Sequence, residues 1–357
     1  MRIAIDTNPL YTTQAGMARY VRSLLGAFHK YCARELEIVE VGWPVGNFGI
    51  QQPQRALKTA YRELIWAKWI APEIIAKSRA GAYHITGTPL TFAPNGIPNV
   101  VTVHDMAVFR QPDRFRRWHG FSARSGYRKL HRARHVICIS GFTADEVSAV
   151  LGLSERDISV VYYGCPFHPN DPAPPERKPD FDVPPEFLLF VSSLEPGKNI
   201  KLIREMYELA ESRRVKLPPL LLAGSRWQGV GHEGPPPSGW RFLGHQSDDV
   251  LVYLYRRAQA LLFPSKYEGF GLPVAEAQAL GCPVICSPVA SLPEVGGTAA
   301  LYAEMNARAY LETILRLTAE PELRQEAIDG GKAQAAKFSW QRCARETLEI
   351  YRLVGTD

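Results

Sequence analysis

Residues 260–287 read ALLFPSKYEGFGLPVAEAQALGCPVICS, and this order of residue types calls for strand, loop, helix, strand. ALLF has no polar face, so it suits a strand buried on both sides. Pro264 ends it, and Gly269 and Gly271 mark a loop. Pro273 fits the first position of a helix, where its missing N–H leaves nothing unsatisfied. The helix runs to about Leu280, Gly281 stops it, and PVICS begins the next strand. A glycine loop and a helix N-terminus thus follow the carboxyl end of a parallel strand. Unbonded peptide N–H groups and the helix dipole make such a corner an anion site, suited to a diphosphate. Glu268 in the loop and Glu276, expected on the first helical turn, offer two carboxylates to different parts of one ligand.

Working outward, the same alternation fills both halves of the chain. FLLFVSS and PLLLAG are compact apolar runs in the second half; RIAID, AYHIT, NVVTVHD and HVICIS are their counterparts in the first. A helical pattern runs from about Ala18 to Tyr31. Short apolar strands alternating with helices predict an α/β fold with parallel sheets covered on both faces. Residues 165–186, CPFHPNDPAPPERKPDFDVPPE, are dense in proline, which fixes φ and removes donors, so they predict an extended linker. The expected organisation is a domain over 1–164, the linker over 165–186 and a second domain over 187–340. A terminal helix over 341–357 is expected to return to the first domain. Two such sheets would face each other across a cleft at their carboxyl ends, where doubly wound folds bind ligands.

Composition agrees with two domains. At 357 residues and 46% hydrophobic, the chain exceeds what one compact core holds. The N-terminus, MRIAIDTNPL, lacks a basic leader region, so no secretory signal is expected. No run reaches the roughly 18 apolar residues that span a bilayer. The six cysteines are scattered without a CxxC pair, which favours buried thiols in a reducing, cytoplasmic compartment over disulfides or metal sites. Charge is uneven: residues 1–164 carry 21 Lys and Arg against 12 Asp and Glu, whereas residues 187–357 carry 19 of each. The first half is therefore the one suited to an anionic partner.

EGFGLPVAEAQALGCPVICS, with the later Pro293-Glu294-Val295, resembles the signature of the retaining nucleotide-sugar glycosyltransferases of family 4. The resemblance extends over most of the chain and is weakest from about 45 to 80 and in the linker. It implies the GT-B fold, two Rossmann-like domains facing each other across a cleft. By it, Glu276 binds the nucleotide ribose, and Glu268 contacts the transferred sugar with help from backbone groups at Gly269, Phe270, Gly271 and Leu272. SSLEPGKNI, residues 192–200, matches a second motif, in which Lys198 clamps the diphosphate and Ser193 is a donor-binding residue. Gly197 stands where the family usually has Arg, a contact that Arg226 or an arginine of the first half would have to replace. Gly224 ends a strand beside the donor, and the Gly244-His245 loop is expected to hold the base through its backbone. Read alone, each glutamate also fits a cap or a solvated loop residue, and Lys198 fits a surface lysine.

In the first half, Gly16 opens a helix and resembles the family's glycine loop near the donor phosphates, although a simple turn fits equally. VTVHDMAVF places His104 at a strand end, where the resemblance implies an approach to the sugar; a structural histidine is the alternative. Asp105 is expected to fix His104 or a turn. In ICISGFTADEV, Thr143 is the expected N-cap ahead of Glu146, and Ser140 precedes it. His104, Lys198 and Glu268 are thus the expected catalytic residues. No metal or other cofactor is expected: no DxD-like pair stands in a suitable context, and the leaving diphosphate can itself take the acceptor proton.

Residues 110–135 hold nine Lys and Arg and one acid, interleaved with Trp118, Phe121 and Tyr127. Arg116, Arg117, Trp118, Arg124, Arg128 and Lys129 are the candidates for a lipid-linked acceptor or an anionic membrane surface, the alternative being a solvated helix face. Trp66, Trp69 and Ile70 add an amphipathic stretch. Likeness to mannosyltransferases of the group makes GDP-mannose the expected donor, a glycan or polyprenyl-diphosphate-linked glycan the expected acceptor, and surface polysaccharide assembly the expected process. A peripheral position on the inner face of the plasma membrane follows from that acceptor. No nucleic-acid partner is expected. The competing readings are a sugar-nucleotide epimerase or phosphorylase of the same architecture and a non-catalytic sugar-nucleotide or glycan-binding protein.

Overall fold

The computed structural model describes residues 1–13, 16–45, 54–94, 96–115, 117–225 and 237–355, with the backbone alone at 54–56, 114 and 117–119. The chain divides into two compact units, Met1–Gly164 with Trp340–Asp357, and Cys165–Ser339.

The first unit is built on a parallel sheet of β1 (Arg2–Asp6), β2 (Glu37–Val41), β3 (Ala82–Ile85), β4 (Asn99–Val103), β5 (His135–Cys138) and β6 (Ile158–Val160), in the order β2-β1-β3-β4-β5-β6. The strand order reverses between β1 and β3, so a crevice opens at their carboxyl ends. β3, β4 and β5 are buried throughout, as apolar runs covered on both faces must be. The Gly16–Tyr31 helix buries Ala18, Tyr20, Val21, Leu24, Leu25, Ala27 and Phe28, the three-and-four spacing of one apolar face. The terminal helix, Trp340–Val354, packs against it. The segment over residues 54–77 forms a helix (Gln54–Tyr61), a π-helical stretch (Arg62–Ile70) and a further helix (Ala71–Lys77). Trp66, expected on an amphipathic surface, belongs to the core instead, whereas Trp69 is 74% exposed.

The second unit carries β7 (Leu188–Val191), β8 (Leu220–Ala223), β9 (Trp240–Gly244), β10 (Ala260–Phe263), β11 (Val284–Cys286) and β12 (Leu301–Tyr302), again all parallel, in the order β12-β11-β10-β7-β8-β9. Its order reverses between β7 and β10. The proline-rich segment 165–186 contains no helix or strand, but it does not stand apart as a spacer. Glu176 pairs with Arg256 and Arg257 at 2.6 and 2.5 Å, Arg177 pairs with Asp249 at 2.9 Å, and His168 Nε2 donates to the Ala336 carbonyl at 3.0 Å. All six cysteines are buried thiols.

Candidate functional site

In the second unit, the two loops that leave β7 and β10 meet at the reversal point of the sheet. The loop after β7 contains a short 3-10 turn, Pro196–Lys198, closed by Asn199 in the left-handed region at φ 56°. The loop after β10 is tied to that turn where the Lys266 N–H donates to the Gly197 carbonyl at 2.9 Å. This proximity brings Lys198 Nζ to 2.5 Å from Glu268 Oε1 and 3.9 Å from Glu195 Oε1. Two residues 70 apart in sequence, singled out for donor contacts, thus neutralise each other in the crevice.

Glycine is required at two positions here. A Cβ on Gly224, at φ +143°, would lie 1.8 Å from the Ser192 carbonyl oxygen, so two backbones pass where no side chain fits. Gly271, at φ +99°, precedes the Leu272–Ala279 helix, and a Cβ there would meet Leu292 at 2.7 Å. Pro273 takes the second rather than the first helical position. Glu276 is the fifth helical residue, past the first turn where it was expected. It is buried, and the Tyr255 hydroxyl donates to its Oε2 at 3.1 Å. Phe270 is buried edge-on to Phe338. Ser193 is half-buried, Gly269 buried and Leu272 half-buried. Gly244 ends β9 rather than lying in a loop, because β9 runs through residues read as loop, and His245 follows it exposed. Arg226 lies outside the described residues.

In the first unit, His104 follows β4 and is buried. Its Nε2 lies 2.6 Å from the Thr86 carbonyl oxygen, and its Nδ1 bonds the Tyr163 hydroxyl. A carbonyl only accepts, so Nε2 carries the proton, and the Tyr163 O–H donates to Nδ1. Burial lowers the pKa of this imidazole, which keeps it neutral. Both nitrogens are therefore engaged by protein groups at the carboxyl ends of β3 and β4. Asp105 does not orient His104: its Oδ1 accepts from the Ala107 N–H at 2.8 Å and shapes the turn. The Tyr20 ring meets His104 edge-on and stacks on Tyr163, which in turn stacks on Trp340. Behind this cluster, the Tyr20 hydroxyl, Thr102, His84 and the Tyr351 hydroxyl form a buried hydrogen-bonded chain with links of 3.1, 2.7 and 2.6 Å. Thr86 and Tyr163, which sequence reading missed, carry no motif; only the fold brings them to His104.

Ser140, not Thr143, caps the Gly141–Leu151 helix, since the Thr143 N–H donates to Ser140 Oγ at 3.1 Å. The cap falls there because the helix begins immediately after β5. Gly16 is exposed at the start of its helix, with open space around it. Of the basic candidates, Arg128 and Lys129 are exposed. Arg124 lines a cavity of about 520 Å³ with Pro112, Asp113, Phe115 and Gly120. Arg116 lies outside the described residues, as do the side chains of Arg117 and Trp118. Among the described residues no group of three or more His, Cys, Asp or Glu is placed to hold a metal ion, and no helix is long and apolar enough to cross a membrane.

Comparison with known proteins agrees with this geometry. Residues 15–166 match the model of Glycosyltransferase Family 4, and residues 175–334 match that of Glycosyl transferases group 1. O-antigen chain mannosyltransferase B of Escherichia coli is 33% identical over 286 residues, covering 74% of this chain and 73% of that protein. Among solved structures, sucrose-phosphate synthase from Thermosynechococcus elongatus superposes with a TM-score of 0.72 at 18% identity, covering 99% of this chain and 98% of that one. Anabaena HepE in complex with UDP-glucose gives a TM-score of 0.68 at 14% identity, covering 99% and 100%. Two matched family models, a relative aligned over most of both chains and two parallel sheets of GT-B type make this chain a member of the group 1, family 4 glycosyltransferases.

Proposed function

We propose that the chain transfers mannose from GDP-mannose to a growing, lipid-linked polysaccharide with retention at the anomeric carbon. The observation that carries the reading is the meeting of Lys198 and Glu268 at the reversal point of the second sheet. A cation there can neutralise charge on a departing diphosphate, and the carboxylate beside it can accept hydrogen bonds from sugar hydroxyls. Glu276, deeper on the following helix, is assigned to the ribose. The mannosyl donor and the polysaccharide product are taken from the likeness to the O-antigen enzyme.

In this reading the bond from the anomeric carbon to the phosphate oxygen breaks as the bond to the acceptor oxygen forms on the same face. The acceptor proton passes to the leaving phosphate oxygen. No carboxylate nucleophile and no metal is required. His104, neutral with both nitrogens engaged, orders the strand end and transfers no proton. Transfer should therefore persist in excess EDTA; its abolition there, with recovery on adding back a divalent ion, would remove the metal-free mechanism.

A thermal-shift screen against GDP-, UDP-, dTDP- and ADP-sugars tests the donor, because a ligand bound only by the folded state must raise the melting temperature. Stabilisation by GDP-mannose in the wild type and not in Glu276→Ala is the expected result. Stabilisation by UDP-sugars alone would overturn the donor.

The acceptor reading rests on the first unit's positive charge and on exposed apolar side chains of its basic helix and of the 54–70 helical segment: Phe121 at 59%, Leu57 at 72% and Trp69 at 74% exposure. The helix bearing Phe121 is joined to the π-helical stretch where the Ser122 hydroxyl donates to Glu63 at 3.2 Å. Apolar groups beside basic ones suit the cytoplasmic face of an anionic membrane. Liposomes containing anionic lipid should retain the protein at low salt and lose it to Trp69→Ala with Phe121→Ala; equal retention of neutral and anionic liposomes would count against the reading.

A further inference from the structure

The ion pair at the reversal point of the second sheet is lopsided. Lys198 Nζ has two carboxylates in reach, Glu268 at 2.5 Å and Glu195 at 3.9 Å, and the centre of the Phe263 ring lies 5.8 Å from it. Glu195 and Lys198 bracket the Pro196–Lys198 turn, in which side chains three apart lie one above the other. The Lys198 N–H also donates to the Glu195 carbonyl at 3.0 Å. Glu268, by contrast, pairs with Lys198 alone among the cations of the described residues. Its backbone is tied down as well: the buried Ser291 hydroxyl, shared with the Phe270 carbonyl, lies 3.0 Å from the Glu268 carbonyl oxygen.

The Lys198 and Glu268 side chains are only 14% and 12% exposed, so both charges are largely withdrawn from water. Separating such a pair is costly for whichever member finds no new partner. Lys198, drawn off by a phosphate, gains that phosphate and keeps Glu195. Glu268 gains nothing unless the same ligand brings hydrogen-bond donors, because an ionised carboxylate only accepts. A nucleoside diphosphate ends in phosphate oxygens and brings none. An intact nucleotide sugar brings phosphate for the lysine and hydroxyls for the carboxylate.

We propose that the Lys198–Glu268 pair is a latch that an intact nucleotide sugar replaces on both sides and a nucleoside diphosphate on one side only, so that the site disfavours the diphosphate left after transfer. This rests on the reading of Lys198 and Glu268 as donor-site residues. Once the sugar has gone, Glu268 loses its hydroxyl donors and competes with the diphosphate for Lys198, which promotes product release. Glu195 is a positioning residue in this scheme: it holds Lys198 while the pair is open.

The test is calorimetric titration of the full chain with GDP and GDP-mannose, and in parallel with UDP and UDP-glucose, for wild type, Glu268→Gln and Glu195→Gln. Thermal unfolding without ligand checks that each variant folds; if Glu268→Gln does not, Glu268→Ala carries the comparison. Glu268→Gln frees Lys198 and strands no charge. It should bind the diphosphate about tenfold more tightly than the wild type, the range for one hydrogen bond between charged groups, and the nucleotide sugar no more tightly. Glu195→Gln leaves the latch in place and should bind the diphosphate no more tightly than the wild type. Diphosphate affinity that does not rise in Glu268→Gln would mean that the pair does not oppose the diphosphate. An equal rise for diphosphate and nucleotide sugar would mean that Glu268 does not tell them apart, and an equal rise in Glu195→Gln would mean plain repulsion between carboxylates and phosphate; each overturns the proposal. If the wild type binds neither nucleotide pair, the donor-site reading itself fails and the proposal falls with it, a result separable from any difference between variants.

Discussion

Asp6 and His84, on neighbouring strands β1 and β3, are buried with opposite titration shifts. Desolvation pushes Asp6 up to about 6 from 3.8, against hydrogen bonds from Asn8 that pull it down. Desolvation pushes His84 down to about 3 from 6.5. Between these limits the folded chain keeps a proton on Asp6 and none on His84, while the unfolded chain does the reverse. Asp6 contributes stability below pH 3.8 that is lost as pH rises through about 6. His84 contributes stability above 6.5 that is lost as pH falls towards about 3. From pH 4 to 6 the two contributions cancel. Asp6→Asn removes one side, so the variant's stability should fall with acid more steeply than the wild type's, by on the order of 1 kcal/mol per pH unit. Denaturant titrations at pH 4, 5 and 6 measure this, and parallel curves for the two proteins would exclude it. At Gly224 the backbone contact with Ser192 leaves no room for a methyl group, so Gly224→Ala should lose about 3 kcal/mol or more, seen as a lower melting temperature of the second unit. His104 was legible as a strand-end histidine, but its partners were not. Thr86 and Tyr163 lie 18 and 59 residues away, and no local spacing signals a carbonyl or a lone tyrosine.

Among the elements, the interior strands were all legible, and the strands not read as such, β2, β6, β9 and β12, are the four sheet edges. Edge position explains this. An interior strand of a parallel sheet is covered on both faces and shows as an unbroken apolar run. β2 and β9 instead carry exposed charges among their apolar residues, as in EIVEV and WRFLG, and β12 is only two residues long. Such composition blunts an edge against pairing with other chains, and it also erases the signal. Helix starts were less legible than helices. Thr143 has the right residue type and spacing for a cap, but β5 ends so close that the chain turns at Ser140. The capping hydroxyl is buried and also donates to Thr143 Oγ1 at 2.9 Å. Ser140→Ala should therefore destabilise the first unit by about 1–2 kcal/mol, and Thr143→Ala by less, since Thr143's own N–H would keep its acceptor. Urea unfolding of both variants ranks them, and the reverse ranking would return the cap to Thr143.

For the whole molecule, the decisive feature is that the first unit is not contiguous in sequence. The chain leaves it after Gly164 and re-enters at Trp340. The terminal helix supplies Ala344, Leu348 and Tyr351 to its core, each fully buried. Arg345 and Arg352 clasp Glu35 in the turn that follows the Gly16–Tyr31 helix. The Tyr351 hydroxyl is a partner of His84 Nδ1 inside the sheet. A chain ending at Ser339 should thus lose the first unit's cooperative unfolding while keeping that of the second, which is complete between Cys165 and Ser339. Calorimetry and limited proteolysis read this directly: one thermal transition instead of two, and a surviving fragment from the second unit. Two undiminished transitions would show that the first unit closes without its last helix. Tyr351→Phe gives a milder version of the same test. It keeps the ring packed against Phe28 but leaves a buried imidazole nitrogen without that hydroxyl, a loss of about 1–3 kcal/mol. The loss should appear in the first unit's transition and not in the second's, because the hydrogen-bonded chain from Tyr351 through His84 and Thr102 to Tyr20 lies wholly within the first unit.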